Sequence, residues 1–342
     1  MASFVPRAAF PALDSLPRSY FLGHHRAGLN KMKTLLSQID LVIECRDYRV
    51  PLTSRNPLFE EELAGKKRLI LYTKQDLGSA GRPEDLRAEQ TIQDVQKPTD
   101  VMFSNHKDKR STRNILNFAR DHAVTKDTIV GSRVMVVGMP NVGKSSLLNA
   151  LRSVGVQKGK VASTGAQPGV TRKIGTTVKI IDGGPSGEDV YLLDTPGVFV
   201  PYVPNAESML KLALCGSVKD TIIAPTTMAD YLLFHMNKQD PRIYQEYMSP
   251  TNEVWDLLEA VANKTGRLQK GGSPDVEASA LWLIQRWRSG HLGRFLLDDV
   301  HGDLENLKDE HERAIGTSAN QAWKQEKNIR RQRSRNISVD RE

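Results

Sequence analysis

Cysteine is scarce in this chain of 342 residues: Cys45 and Cys215 are the only two. Each sits in an apolar stretch, so buried free thiols are expected, and neither a disulfide scaffold nor a cysteine-based zinc site can be built from them. Long hydrophobic runs are missing too. No stretch approaches the ~18 uncharged apolar residues that a membrane-spanning helix needs. The longest, such as Val134-Met135-Val136-Val137, have the length of buried strands. Acidic residues are outnumbered, 40 against 48 basic, which leaves a net charge of +8. Residues 324–342 hold seven basic and three acidic side chains, and so carry +4 of that excess. Such a tail attracts polyanions, nucleic acid or acidic lipid, unless it is simply a solvated charged end.

What is present is an ordinary soluble composition, 39% hydrophobic and 26% charged, long enough for about two domains. Residues 1–19 contain Arg7 and Arg18 against one acid, Asp14, with several Ser and Ala. That mix fits an organelle transit peptide. Pro6, Pro11 and Pro17 interrupt any long amphipathic helix there, so a plain terminal segment is the alternative. From 20 to 202 the pattern alternates. Apolar strands are expected at 41–45, 69–72, 100–103, 134–137, 177–181 and 190–193, and helices around 26–37, 84–96, 111–121 and 144–152. This is an α/β pattern with a mostly parallel, six-stranded sheet covered on both faces. From 203 to 318 the strand signal stops. Helical periodicity takes over at 206–214, 228–236, 252–262 and 276–287, which reads as a separate small all-α domain followed by the basic tail, 319–342. Trp282 and Trp287 are expected to pack in its core.

The strongest motif is Gly138-Met139-Pro140-Asn141-Val142-Gly143-Lys144-Ser145, followed by Ser146. It is a complete GxxxxGKS between a strand and a helix, the setting a P-loop requires. Glycines let successive backbone N–H groups face phosphates, and the helix points its positive end at them. Lys144 reaches the β/γ-phosphates and Ser145 ligates Mg²⁺. Asp194-Thr195-Pro196-Gly197 lies at a later strand end. Asp194 is placed to hold Mg²⁺ and Gly197 to contact a γ-phosphate, although Pro-Gly alone marks a turn. Between the two motifs, Thr171 is the candidate hydroxyl that closes on Mg²⁺. Base choice is assigned to Thr73-Lys74-Gln75-Asp76. A carboxylate at Asp76 accepts both guanine N1–H and N2–H₂, which adenine cannot offer. At Ser104-Asn105-His106 a backbone N–H is placed to meet guanine O6. An ATPase reading is disfavoured by Lys74 and Asp76.

The order of these motifs is the informative feature. The base-reading pair precedes the P-loop, where a Ras-like GTPase has it after DxxG, so the GTPase domain is read as circularly permuted. With that order, the segment Asp47-Tyr48-Arg49-Val50-Pro51-Leu52-Thr53-Ser54-Arg55-Asn56-Pro57 and the opening Tyr20-Phe21-Leu22-Gly23-His24, the chain resembles the circularly permuted ribosome-assembly GTPases. Within them it is most similar to the mitochondrial GTPase 1 group, related to the bacterial ribosome-biogenesis GTPase A. It departs from the family pattern at Tyr20, Leu22, Thr73 and Asn105.

The resemblance implies slow GTP hydrolysis to GDP, stimulated by the ribosome, in an assembly factor for the large mitochondrial ribosomal subunit that touches rRNA. It implies a monomer in the mitochondrial matrix, with peripheral association with the inner membrane left open. Val198 stands where a water-orienting Gln would, so the resemblance assigns that task to His24, with His25 as competitor, and a supporting K⁺ to Asn141. A non-catalytic RNA-binding scaffold is the alternative that Val198 favours.

Overall fold

The computed structural model describes residues 4–11, 35–56, 60, 62, 63, 65–123, 131–159, 177–183, 189–194, 203 and 205–302. Residues 1–298 form one compact unit and 299–342 another.

Six strands form one sheet: β1 Leu41–Asp47, β2 Arg68–Thr73, β3 Asp100–Ser104, β4 Ser132–Gly138, β5 Val178–Ile181 and β6 Val190–Asp194. Their order is β3-β2-β1-β4-β6-β5. All neighbours are parallel except β5, which runs antiparallel on the edge beside β6. The expected strands are all present, each within a residue or two of its reading. The inner residues of the central strands β1, β2 and β4 are mostly buried, Val134–Val137 completely so, because a parallel sheet is covered on both faces, whereas the edge strand β3 is half-buried.

The α-helices with both ends among the described residues are the single turn α1 Gln75–Gly78, then α2 Pro83–Gln96, α3 Lys109–Ala123, α4 Lys144–Gly155, α5 Ala206–Leu214, α6 Pro225–Gln239, α7 Val254–Thr265 and α8 Val276–Arg288. Local chemistry sets their ends. Asn205 caps α5 by accepting the Ser208 N–H at 2.8 Å, and Asp275 caps α8 by accepting from Ala278 at 2.9 Å. Pro225 opens α6, which begins earlier than its apolar periodicity suggests because a proline fits the first helical position. Helix α7 starts two residues late. Asn252 Nδ2 donates to the Val5 carbonyl, and Thr251 Oγ1 accepts the Glu253 N–H. The helix runs on to Gly266, whose φ of 71° ends it. Of the helix expected at 26–37, residues 35 and 36 are helical and 26–34 lie outside the described residues.

One apolar cluster runs from the sheet, through Val136 and Leu192, into α5, α6, α7 and α8. Cys45 and Cys215 are buried thiols in no disulfide, and burial pushes Cys215 up to about 12. Trp287 is buried, as expected. Trp282 is half-buried beneath the guanidinium groups of Arg267 and Arg286.

Residues 4–11, inside the segment read as a transit peptide, lie on α6. Arg7 makes a two-pronged ion pair with Asp230, and the Phe10 ring packs edge-on against Tyr231 at 5.0 Å and against Phe234 at 5.9 Å. Among the described residues no helix is long and apolar enough to cross a membrane.

Candidate nucleotide site

Because β1, β2, β3, β4 and β6 are parallel, their C-terminal ends share one edge of the sheet, where ligands of open α/β sheets bind. Register fixes the neighbours. Asp47 lies opposite Thr73, Thr73 opposite Ser104, Cys45 opposite Gly138, and Val136 opposite Asp194. Motifs far apart in the chain therefore meet around the end of β4.

The loop after β4 has the backbone of a phosphate cradle. Gly138 has φ +142°, and a Cβ there would lie 2.3 Å from the Cys45 carbonyl oxygen, so only glycine fits. Asn141 is left-handed at φ 58°, and Gly143 at φ 98° precedes α4. Helix α4 has no side-chain cap and no acidic residue in its first turn. Its first N–H groups and positive end are thus presented to an anion. Lys144 is buried, with Nζ donating to the carbonyls of Gly138 at 2.9 Å and Met139 at 2.7 Å. A β/γ-phosphate pair is a stronger partner for that charge. Ser145 and Ser146 are half-buried on the first turn of α4, and Val142 is fully buried.

On the base side, Thr73 Oγ1 lies within hydrogen-bond reach of the Arg46 carbonyl, at 3.1 Å, and of the Val142 carbonyl. Its single proton serves one at a time, and either bond ties β2 to its neighbours. Lys74 is left-handed at φ 60°. Its Nζ donates to the Asn141 carbonyl in the P-loop and to Asp47 Oδ2 at 2.9 Å. Burial pulls the Lys74 ammonium below the usual lysine value, and Asp47 opposes that.

Asp76 Oδ2 pairs with Lys107 Nζ at 3.1 Å, while Asp76 Oδ1 is buried with no hydrogen-bond partner among the described residues. A buried acceptor left without a donor is costly. The adjacent donors of a guanine edge match it. Asn105 Oδ1 accepts the Lys107 N–H at 3.0 Å, closing a turn that a side chain without an acceptor could not, and Ser104 is buried.

Thr171, Gly197, Val198, His24 and His25 lie outside the described residues, as does the side chain of Asp194. Two contributors were not singled out for chemistry from sequence. Asp47 looks like the polar end of a strand, and only its pairing with Lys74 reveals it. Lys107 follows Asn105 by two residues in a turn whose conformation brings it to Asp76.

Residues 133–264 match the 50S ribosome-binding GTPase family. Over 315 residues the chain is 38% identical to a Schizosaccharomyces pombe protein named mitochondrial GTPase 1, covering 87% of this chain and 94% of that one. The chain belongs to the mitochondrial GTPase 1 family. A Xenopus tropicalis relative, named mitochondrial ribosome-associated GTPase 1, is 32% identical over 315 residues, covering 86% of this chain and 99% of its own. GNP-bound YlqF from T. maritima shares the fold, with a TM-score of 0.53 at 22% identity over 79% of this chain and 97% of that one.

As a mitochondrial GTPase 1 family member, the protein is a circularly permuted, Mg²⁺-dependent P-loop GTPase of mitochondria. The donor set suits that ion. Ser145, half-buried on the first turn of α4, would hold it with the hard hydroxyl oxygen that Mg²⁺ prefers. Mg²⁺ bound there would neutralise phosphate charge as the β–γ bond breaks.

Proposed function

We propose that this GTPase acts in assembly of the large subunit of the mitochondrial ribosome. It docks on rRNA or a pre-ribosomal particle when GTP is bound and leaves after hydrolysis, as a monomer in the matrix. The observation that supports the guanine half is the Oδ1 of Asp76, buried with no hydrogen-bond partner among the described residues. The ribosomal half is supported by the match of residues 133–264 to a 50S ribosome-binding family and by relatives named for ribosome association. The net charge of +8 adds an electrostatic reason to approach RNA.

In this reading Lys144, Ser145 and Asp194 hold Mg·GTP, and Thr171 and Gly197 close on the γ-phosphate. His24 orients water where Val198 cannot, and a K⁺ at Asn141 adds positive charge. Asn141 Nδ2 donates to the Gly216 carbonyl at 2.8 Å, so the cation would be held through Oδ1.

The test is GTP turnover with and without purified large mitochondrial subunits, in K⁺ and in Na⁺. Stimulation by the particle, lost in His24→Ala with GTP affinity spared, is the expected result. Turnover indifferent to particles would remove the ribosomal reading, and equal rates in the two salts would remove the K⁺. Deleting residues 324–342 should lower the salt slope of particle binding.

A further inference from the structure

The base-reading lysine is held from behind by a charged stack that reaches into the helices. Asp47, the last residue of β1, is completely buried. Its carboxylate takes Lys74 Nζ on Oδ2 at 2.9 Å and the Arg49 guanidinium on both oxygens, Nε to Oδ1 at 2.9 Å and Nη2 to Oδ2 at 2.8 Å. Arg49 is itself enclosed. Its guanidinium lies over the Trp287 ring of α8 at 4.8 Å, Nη2 reaches the Cys215 carbonyl at 3.4 Å, and its own carbonyl accepts the Leu297 N–H at 2.8 Å. The next residue of α8, Arg288, binds the carbonyls of Ala213 and Leu214 at the end of α5 and pairs with Asp220.

A free lysine stem samples many rotamers, and ordering it on a ligand costs conformational entropy. Here two acceptors, Asp47 and the Asn141 carbonyl, fix the ammonium before any purine arrives. Arg49 keeps Asp47 ionised and immobile. Without Asp47, two buried cations would face each other and Lys74 would swing away. We propose that Asp47 is a positioning residue for guanine-nucleotide recognition, holding Lys74 along the purine face, and that Arg49 packed on Trp287 makes this hold depend on the helical part of the molecule. The proposal rests on the base-reading role of the Lys74–Asp76 loop, and its test separates the two.

The test compares GTP, ITP and ribose 5′-triphosphate as competitors of a fluorescent guanine nucleotide on the full chain. Hypoxanthine lacks the 2-amino group that Asp76 reads, and ribose 5′-triphosphate lacks the base altogether. Asp47→Asn should weaken GTP and ITP in parallel, by roughly ten- to hundredfold, and leave ribose 5′-triphosphate unchanged. A framework role would weaken all three alike and overturn the proposal, as would unchanged GTP affinity. Should Asp47→Asn fail to fold, Arg49→Lys retains a cation beside Asp47 while losing the flat contact with Trp287 and the reach to Cys215. It should show the same pattern at a few-fold magnitude, and unaltered GTP and ITP binding in it would overturn the proposal. Asp76→Asn in the same assay should shrink the GTP:ITP ratio. An unchanged ratio there would remove the base-reading assignment and this proposal with it, whereas a shrunken ratio beside an inert Asp47→Asn would remove this proposal alone.

Discussion

Replacing Asp76 by asparagine should convert a GTP site towards xanthosine triphosphate. The carboxylate offers two acceptors to guanine N1–H and N2–H₂, and its Oδ1 is buried with no partner among the described residues. An amide of the same size offers one acceptor and one donor, so one N–H of guanine meets an N–H. A hydrogen bond to a charged group is worth ~1.5–3 kcal/mol, and a buried group left unpaired costs a similar amount. The GTP loss should therefore be about one to two orders of magnitude. The competing term is the ion pair with Lys107 at 3.1 Å. Lys107 is 65% exposed, and such a pair contributes ~0–1 kcal/mol, so base recognition decides the outcome. Xanthine carries a carbonyl where guanine has its amino group. The amide donor can satisfy it, whereas the carboxylate repels it, and XTP affinity should rise. Competition of GTP, XTP and ATP against a fluorescent nucleotide reads all three. Equal loss for all would make Asp76 a support of the loop, and no change would mean that the base is read elsewhere.

Lys144→Ala should lose Mg·GTP affinity by more than about tenfold, since a charge-assisted phosphate contact disappears. Wild-type affinity by calorimetry would refute the P-loop assignment. His235, buried on α6 with Nε2 lacking a partner among the described residues, is held down to about 3 by burial. Between that value and the unfolded value near 6.5, the unfolded chain binds a proton that the native chain does not. Stability should thus fall as pH drops below 6.5, by about 1.4 kcal/mol per pH unit from this residue. Urea unfolding of the wild type and His235→Gln at pH 6.5 and 5.5 should show a shallower drop in the variant, and identical drops would refute the burial argument. Phe10→Ala removes a half-buried ring from Tyr231 and Phe234 and should cost about 1–2 kcal/mol, against an unchanged urea midpoint if the contact is idle.

Much of this was legible in the sequence because it is local. A strand of four consecutive apolar residues, a GxxxxGKS and a helix start are each written within about ten positions, and β4, the cradle and α4 sit where those signals put them. Thr73-Lys74-Gln75-Asp76 is weak as a string and gained its meaning only from its place before the P-loop. Sheet order then accounts for that place, since β1 lies directly beside β4 and β2 follows on the other side of β1. What could not be read is partnership across distance. Nothing in the spacing of Asp47 and Arg49 says that a tryptophan 238 positions later, Trp287, closes over the pair. Lys107 likewise needs the turn at Asn105 before it can meet Asp76. Periodicity set the helix faces and the first residues of α4, α5 and α8, but not those of α6 and α7, which were decided by Pro225 and by the side chains of Thr251 and Asn252.

The docking of residues 4–11 on α6 has a practical side. Phe10 lies over Tyr231 and Phe234, which are 1% and 9% exposed, and Arg7 answers Asp230. A chain cut at residue 19, or expressed from beyond that point, would bare both rings and leave Asp230 without its guanidinium. Loss of solubility in such a preparation would then report an uncovered aromatic face and say nothing about the nucleotide site. A transit function proposed for residues 1–19 would be a second employment of the same residues. An import machinery reads a chain before it folds, when Arg7 and Arg18 are simply positive charges. Only the folded protein has an α6 for Phe10 to cover. The N-terminal sequence of the protein recovered from mitochondria distinguishes an address that is discarded on arrival from one that becomes part of the building.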